Sequence, residues 1–284
     1  MKTCIDLFSG IGGFTLGMQW AGGWKTAQFV ERDPFCQAVL RKHWPGVPIH
    51  DDIANFDGFP ADAVVGGFPC QDISFAGKGA GLGGTRSGLW WEMHRVIDQA
   101  RPQWCIIENV PALRSRGLDT VLRLLHEIGF DAEWHCLPAA AIGARHRRDR
   151  CWIVAYPNRD SERRLSVDAE VGSASEAVSH AIRHGLERRI EAWAAAGAAG
   201  RSCEAGGPGW WANEPDVGRV ADGVPARTHR LRALGNAIVP QIAQVITETL
   251  NDLDPHGHSE GGGPSDPRHS VQNPRTDACV DRHQ

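Results

Sequence analysis

The chain has 284 residues, 42% of them hydrophobic and 23% charged, and a formal net charge of −4. Such values suit a globular chain with one large core and a small appendage, and they exclude a protein that holds nucleic acid by bulk positive charge. No apolar run approaches the ~20 residues of a membrane span. The Met1–Asp6 start lacks a signal-peptide pattern, and the eight cysteines form no Cys-x-x-Cys pair. The expectation is a cytoplasmic protein with no zinc site, no disulfide framework and no membrane association.

In chain order, residues 3–8 predict a strand, Ser9-Gly-Ile-Gly-Gly13 a tight turn, and 14–21 a helix. Such a turn lets a ligand approach backbone N–H groups at a helix N-terminus. The dinucleotide fingerprint Gly-x-Gly-x-x-Gly would begin at Gly10 and Gly12 but requires glycine where this chain has Thr15. A second strand is predicted from Lys25 to Glu31, and a helix from Pro34 to His43 with proline in its first turn. Glu31, closing the strand, is placed to hold the two hydroxyls of a ribose. Short strands follow near 47–50 and 62–66, and Asp52-Ile53 after the first of them could hold an adenine by a hydrogen bond and an apolar contact. Taken singly, such acids are more often solvated loop carboxylates.

The strand at 62–66 runs into Gly66-Gly-Phe-Pro-Cys-Gln71, which sets Cys70 directly after a proline at a strand end. Proline fixes the direction of approach, and strand ends are where α/β folds bind ligands. A thiolate there would be a strong nucleophile, although free cysteine is usually buried and inert. Glycines at 77, 79, 81, 83, 84 and 88 suit a closing loop.

A helix is expected from Gly88 to Ala100, a strand over 104–108, a helix over 118–128, and strands over 132–137 and 151–156. Glu108 closes its strand at the edge that carries Cys70; burial there would raise its pKa and make it a proton donor. Four of the 30 basic residues are Lys, leaving 26 Arg, and Arg145-His-Arg-Arg-Asp-Arg150 is their densest cluster. Arg suits bidentate phosphate and base contacts. Strands alternating with helices predict an α/β fold with a doubly wound, mostly parallel sheet.

Composition changes after Tyr156, where Arg, Glu, Ala, Ser and Gly replace large aliphatics. Residues 174–196 could be helical, but the stretch holds too few aliphatics for a core of its own. A helical pattern returns from Leu231 (Ala237 to Leu250), and the tail from Asp254 reads as disordered. The expected organisation is a main α/β unit over 1–156, a small region of different composition over 157–227, residues 228–253 that complete the main unit, and a tail over 254–284.

Five blocks in order resemble the DNA (cytosine-5) methyltransferase family: Asp6-Leu-Phe-Ser-Gly-Ile-Gly-Gly-Phe14, Phe68-Pro-Cys-Gln71, Glu108-Asn-Val110, Arg145-His-Arg-Arg-Asp-Arg150 and Gly235-Asn-Ala-Ile-Val-Pro-Gln241. The resemblance covers about 1–156 and 228–251, and the stretch from Trp210 through Pro225 resembles phage-borne and prophage-like members. His146 stands where many members carry Gln, and Arg32 where some carry Trp. The resemblance implies a Rossmann-like fold binding S-adenosyl-L-methionine through Asp6, Phe8, Gly10, Gly12, Glu31, Asp52, Ile53, Leu89, Asn236 and Ile238. Phe8 would stack on the adenine. Cys70 would attack C6 of a flipped cytosine while Glu108 binds N3 and the amino group. Arg150 would bind O2, with Arg148 supporting the thiolate and nearby phosphates. Ser74, Arg86 and Arg147 would face double-stranded DNA, and sequence readers are expected among Arg159, Arg163, Arg164, Arg183, Arg188 and Arg189. A monomer is expected, with a cognate restriction endonuclease or acting alone.

Amino-group methyltransferases are disfavoured by the absent Asp/Asn/Ser-Pro-Pro-Tyr/Phe signature. An RNA-acting relative of the same family and a catalytically silent DNA-binding relative are the nearer rivals; the second conflicts with intact Cys70, Glu108 and Arg150. An NAD-type oxidoreductase lacks its third glycine.

Overall fold

A computed structural model describes residues 1–69, 88–158, 173–198 and 227–254. Their centre is a seven-stranded sheet built from β1 (Lys2–Leu7), β2 (Trp24–Val30), β3 (Ile49–His50), β4 (Ala63–Gly66), β5 (Trp104–Asn109), β6 (Phe130–Pro138) and β7 (Asp149–Pro157), in the order β3-β2-β1-β4-β5-β7-β6. The first five strands pair in parallel, as the alternation of strands and helices predicts. β7 instead runs antiparallel to both β5 and β6. The reason lies in the connection. Only a short 3-10 turn over Ala139–Ile142 and a few further residues separate β6 from β7, too little chain for a parallel crossover.

Successive residues of each strand feed opposite layers, as a pleated strand requires. Ala63, Val65, Trp104, Ile106, Trp152 and Val154 pack beneath α1 (Gly13–Ala21) and the last helix of the described chain, α8 (Pro240–Leu253). Ile5, Leu7, Val64, Cys105, Ile107 and Ile153 face the other way, against α3 (Leu89–Ala100) and α5 (Leu118–Glu127). The remaining helices are α2 (Pro34–His43), the single turn α4 (Leu113–Arg116), α6 (Ser173–Ala198) and α7 (Arg227–Asn236). The helical pattern expected from Leu231 thus divides in two, with Pro240 opening α8 where its missing N–H costs nothing.

Helix α6 departs most from the composition-based expectation. Ile182, Leu186 and Trp193 are buried in the layer that holds α1 and α8, with Val178 and Ile190 packed against it. These positions recur every three or four residues, a stripe that average composition conceals. Arg183 reaches Glu133 at 3.2 Å, and Arg189 reaches Glu248 at 2.8 Å and Asp252 at 2.5 Å. Two of the expected base readers therefore tie α6 to the body of the protein.

The approach of α1 to α8 depends on one glycine. A Cβ at Gly17 would lie 2.3 Å from the Pro240 carbonyl oxygen, 2.8 Å from the Ala243 Cβ and 2.9 Å from the Gln244 nitrogen. Two of those atoms are backbone and cannot turn away. Gly17→Ala gains up to ~1 kcal/mol of helix propensity, but the overpacking should cost ~3 kcal/mol or more. A melting temperature lower by roughly 4–8 °C is expected in thermal unfolding. A melting temperature at or above that of the unaltered chain would contradict this packing.

Candidate active site at the carboxyl edge of the sheet

The chain reverses direction across the sheet between β1 and β4, and a crevice opens where their following loops part. It forms a cavity of about 660 Å³, within the range of small-molecule sites. Phe8 and Gly10 line it after β1, Glu31 after β2, Gly67 through Pro69 after β4, and Glu108 and Asn109 at the end of β5. Leu89 of α3, Arg150 of β7, and Arg232, Gly235 and Asn236 of α7 complete it.

One end is organised around Glu31. Its two carboxylate oxygens accept the Gly10 and Asp33 backbone N–H groups, each at 2.7 Å. The Gln37 amide holds the Glu31 carbonyl at 2.7 Å, and Asp33 caps α2 through the Phe35 N–H at 2.8 Å. The loops after β1 and β2 are thereby locked together. Phe8 enters its turn with φ +51°, a left-handed conformation uncommon for a non-glycine residue. Beneath the turn, Asp6 is fully buried and accepts the Thr15 hydroxyl at 2.7 Å, and burial pushes its pKa up to about 7. The Thr15 hydroxyl also meets that of Thr26 at 2.7 Å. Thr15, out of place in a dinucleotide fingerprint, here bridges β1, β2 and α1.

The other end is organised around Glu108. Register pairs Glu108 with Trp152 and Asn109 with Cys151, so Glu108 and Arg150 project from the same sheet face on neighbouring strands. The Arg150 Nε donates to Glu108 Oε1 at 2.9 Å. Burial raises the Glu108 pKa to about 7, although Arg150 and Arg148 both act to lower it. Burial wins because the carboxyl is almost wholly removed from water. A Cβ on Gly67 would come within 2.9 Å of Glu108 Oε2, so the glycine lets the loop after β4 pass this carboxylate without displacing it. Asn109, which the sequence reading did not single out, joins the two strand ends. Its amide donates to the Phe68 carbonyl at 2.8 Å, and its oxygen accepts the Val110 N–H at 2.9 Å.

Of the residues expected at the site, Phe8, Gly10, Glu31, Leu89, Glu108, Arg150 and Asn236 line the cavity. Asp6 lies beneath it. Gly12 turns at φ +84° against Trp44, and Ile238 packs on Gly13. Asp52 caps the 3-10 turn over Ile53–Asn55 by accepting the Ala54 N–H at 3.0 Å, and Ile53 is buried in the layer that holds α3. Arg147 is exposed, 3.8 Å from Asp149. Arg148 does not line the cavity; it donates to the Gly235 carbonyl at 2.8 Å and to the Ala237 carbonyl. Cys70, Ser74 and Arg86 lie outside the described residues, as do Arg159, Arg163 and Arg164 and the expected tail. Arg232 lies within the helical pattern expected from Leu231 but ahead of the Gly235–Gln241 block that marks this end of the site, and α7 carries it one turn before Asn236. Ring stacking of Phe35 on His229, with centroids 6.0 Å apart, sets α7 across α2.

Among the described residues no helix is long and apolar enough to cross a membrane, and no group of three or more His, Cys, Asp or Glu could hold a metal ion. The chain is 39% identical over 160 residues to the type II methyltransferase M2.BsuMI of Bacillus subtilis, a stretch covering 53% of this chain and 41% of that protein. It is 32% identical over 177 residues to the type II methyltransferase M.Sau3AI of Staphylococcus aureus, covering 54% and 42%. The matched stretch is thus about two fifths of either relative. Among solved structures, the S. pombe Dnmt2 methyltransferase aligns at 18% identity and a TM-score of 0.48, covering 61% of this chain and 58% of that one. The model of the C-5 cytosine-specific DNA methylase family matches residues 2–192, which run from β1 through β7 and most of α6. That span carries both ends of the cavity, and the chain belongs to the C-5 cytosine-specific DNA methylase family.

Proposed function

We propose that this chain methylates C5 of a cytosine flipped out of double-stranded DNA, using S-adenosyl-L-methionine and a covalent bond from Cys70 to C6. The observation that carries the reading is the pairing of a buried carboxyl, Glu108, titrating near 7 beside Arg150, with the Glu31 end of the same cavity. The residues fit the cofactor. Each Glu31 oxygen uses one acceptor position on backbone N–H and keeps a second for a ribose hydroxyl. Phe8 offers an aromatic wall, and Gly10 and Asn236 flank the space between. When bound, the cofactor supplies an electrophilic methyl group on sulfur.

The chain's own residues do the rest. C5 of cytosine is a poor nucleophile, and a base inside a duplex is out of reach, so the base must leave the stack. The Cys70 thiolate adds to C6 while the Glu108 proton passes to N3, leaving an enamine whose C5 carries the displaced electron density. Arg150 holds the base at O2. That C5 would accept the methyl group a bound cofactor supplies, the bonding pair staying on the cofactor's sulfur. A base then removes the C5 proton, the ring expels the thiolate, and the N3 proton returns to Glu108.

Because α6 is tied to the body through Arg183 and Arg189, sequence reading falls to the rest of the 157–227 region. Phosphate contacts alone would only position the protein. Bisulfite sequencing of DNA from cells expressing the chain is expected to show new 5-methylcytosine at one recurring sequence. Unmodified DNA, together with no calorimetric binding of S-adenosyl-L-homocysteine, would overturn the reading.

A further inference from the structure

Arg148 stands just before β7 with φ +28°, a strained left-handed conformation for a side chain of its size. Its charge lies close enough to Glu108 and Arg150 to influence both. One end of its guanidinium, however, is committed elsewhere. One terminal nitrogen donates to the Gly235 carbonyl, 87 residues away at 2.8 Å, and to the Ala237 carbonyl, 89 residues away. A terminal guanidinium nitrogen carries two protons, so both are committed to this one turn.

The turn matters because of what lies on it. Gly235 and Asn236 line the cavity, and Arg232 and Ala233 one turn earlier extend the same wall. On its far side Ile238 is pressed against the start of α1, where a Cβ on Gly13 would meet its Cγ1 at 2.7 Å. The turn joins α7 to α8 and so is held from below by α1 and from the side by Arg148.

We infer that Arg148 is a positioning residue: it clamps the 235–237 turn so that Asn236 forms the wall of the cavity beside Glu31. The clamp joins the segment carrying the base-binding pair to the wall of the cofactor end. This refines the role implied by family resemblance, in which Arg148 supports the thiolate and phosphates. It rests on the proposed function only for the identity of the ligand. A charge-assisted pair of hydrogen bonds to two carbonyls is among the stronger ties a side chain can make, and a Lys ammonium ends one atom short of that nitrogen and is more strongly hydrated.

The test compares Arg148→Met and Arg148→Lys with the unaltered chain in two measurements. Without ligand, amide hydrogen exchange at residues 236–239 is expected to quicken ~10-fold or more in Arg148→Met and to be only partly restored by Lys. With ligand, the dissociation constant of S-adenosyl-L-homocysteine and the cofactor KM should rise ~10-fold in Arg148→Met and less in Arg148→Lys, with kcat at saturating cofactor falling by a smaller factor than KM rises. Unchanged exchange at 236–239, or a fall in kcat with cofactor affinity intact, would overturn the clamp. If the unaltered chain bound no cofactor while exchange at 236–239 still quickened in Arg148→Met, the functional reading would fail and the clamp would stand.

Discussion

Cys70→Ser is expected to lower methyl transfer by at least ~10³-fold while leaving cofactor binding within about 3-fold of the unaltered chain. The reason is chemical. Serine is nearly isosteric, but its hydroxyl is scarcely ionised near neutral pH and nothing else in the mechanism makes C5 nucleophilic. The chain reaches residue 70 directly from Pro69, which lines the cavity, and Asn109 fixes the preceding Phe68 carbonyl at 2.8 Å. DNA carrying fluorine at C5 of the target separates loss of the nucleophile from loss of folding. With no proton to remove, the adduct cannot collapse, so the unaltered protein should stay covalently attached. Cys70→Ser should bind that DNA without forming the adduct. Methyl transfer by Cys70→Ser at the rate of the unaltered chain would remove the covalent mechanism.

The second large effect is at Glu108. Glu108→Gln preserves shape and a hydrogen-bonding group but cannot release a proton to N3, and a loss of ~10²–10⁴-fold in kcat is expected. The pH profile gives the sharper reading. The Glu108 carboxyl is held near 7 by burial, so its acid form predominates below that value and is lost above it. Activity of the unaltered chain should therefore fall as pH rises through about 7. Glu108→Gln should be slow throughout and lack the alkaline limb. A Glu108→Gln enzyme within ~3-fold of normal would show that N3 needs no proton from this residue.

The Glu108–Arg150 pair also explains why the antiparallel strand matters. In a wholly parallel sheet the chain would arrive at this edge only at strand ends. β7 begins here instead, so Asp149 and Arg150 lie at the edge as its first residues, with Arg150 beside the end of β5. The Arg145–Arg150 cluster comes directly before the strand expected over 151–156. In the structure its members part: Arg150 turns to Glu108, Arg148 to the 235–237 turn, and Arg147 outward.

What the sequence determined by itself is the local and periodic part of this protein. Alternating strand and helix signals, proline at the start of α2 and the glycine turn after β1 depend on neighbours a few residues apart. Those signals specify the parallel half of the sheet and its carboxyl edge, and the ordered blocks around Phe8, Glu108 and Arg150 mark the family. Only the tertiary structure decided what depends on distant partners. Whether Glu108 titrates near 7 depends on the burial and charge that β7 and the loop after β4 bring to it. The Arg148 contact spans 87 residues to Gly235, and the direction of β7 follows from a connection too short for a crossover. Helix α6 shows the boundary between the two: its apolar stripe is written at helical spacing, but its mean composition hides it. Only the packing of Gly185 against Thr249 and of Arg189 against Glu248 shows which surface that stripe covers. Burial and charge pairing belong to the folded surroundings, so they become definite only when the distant segments meet.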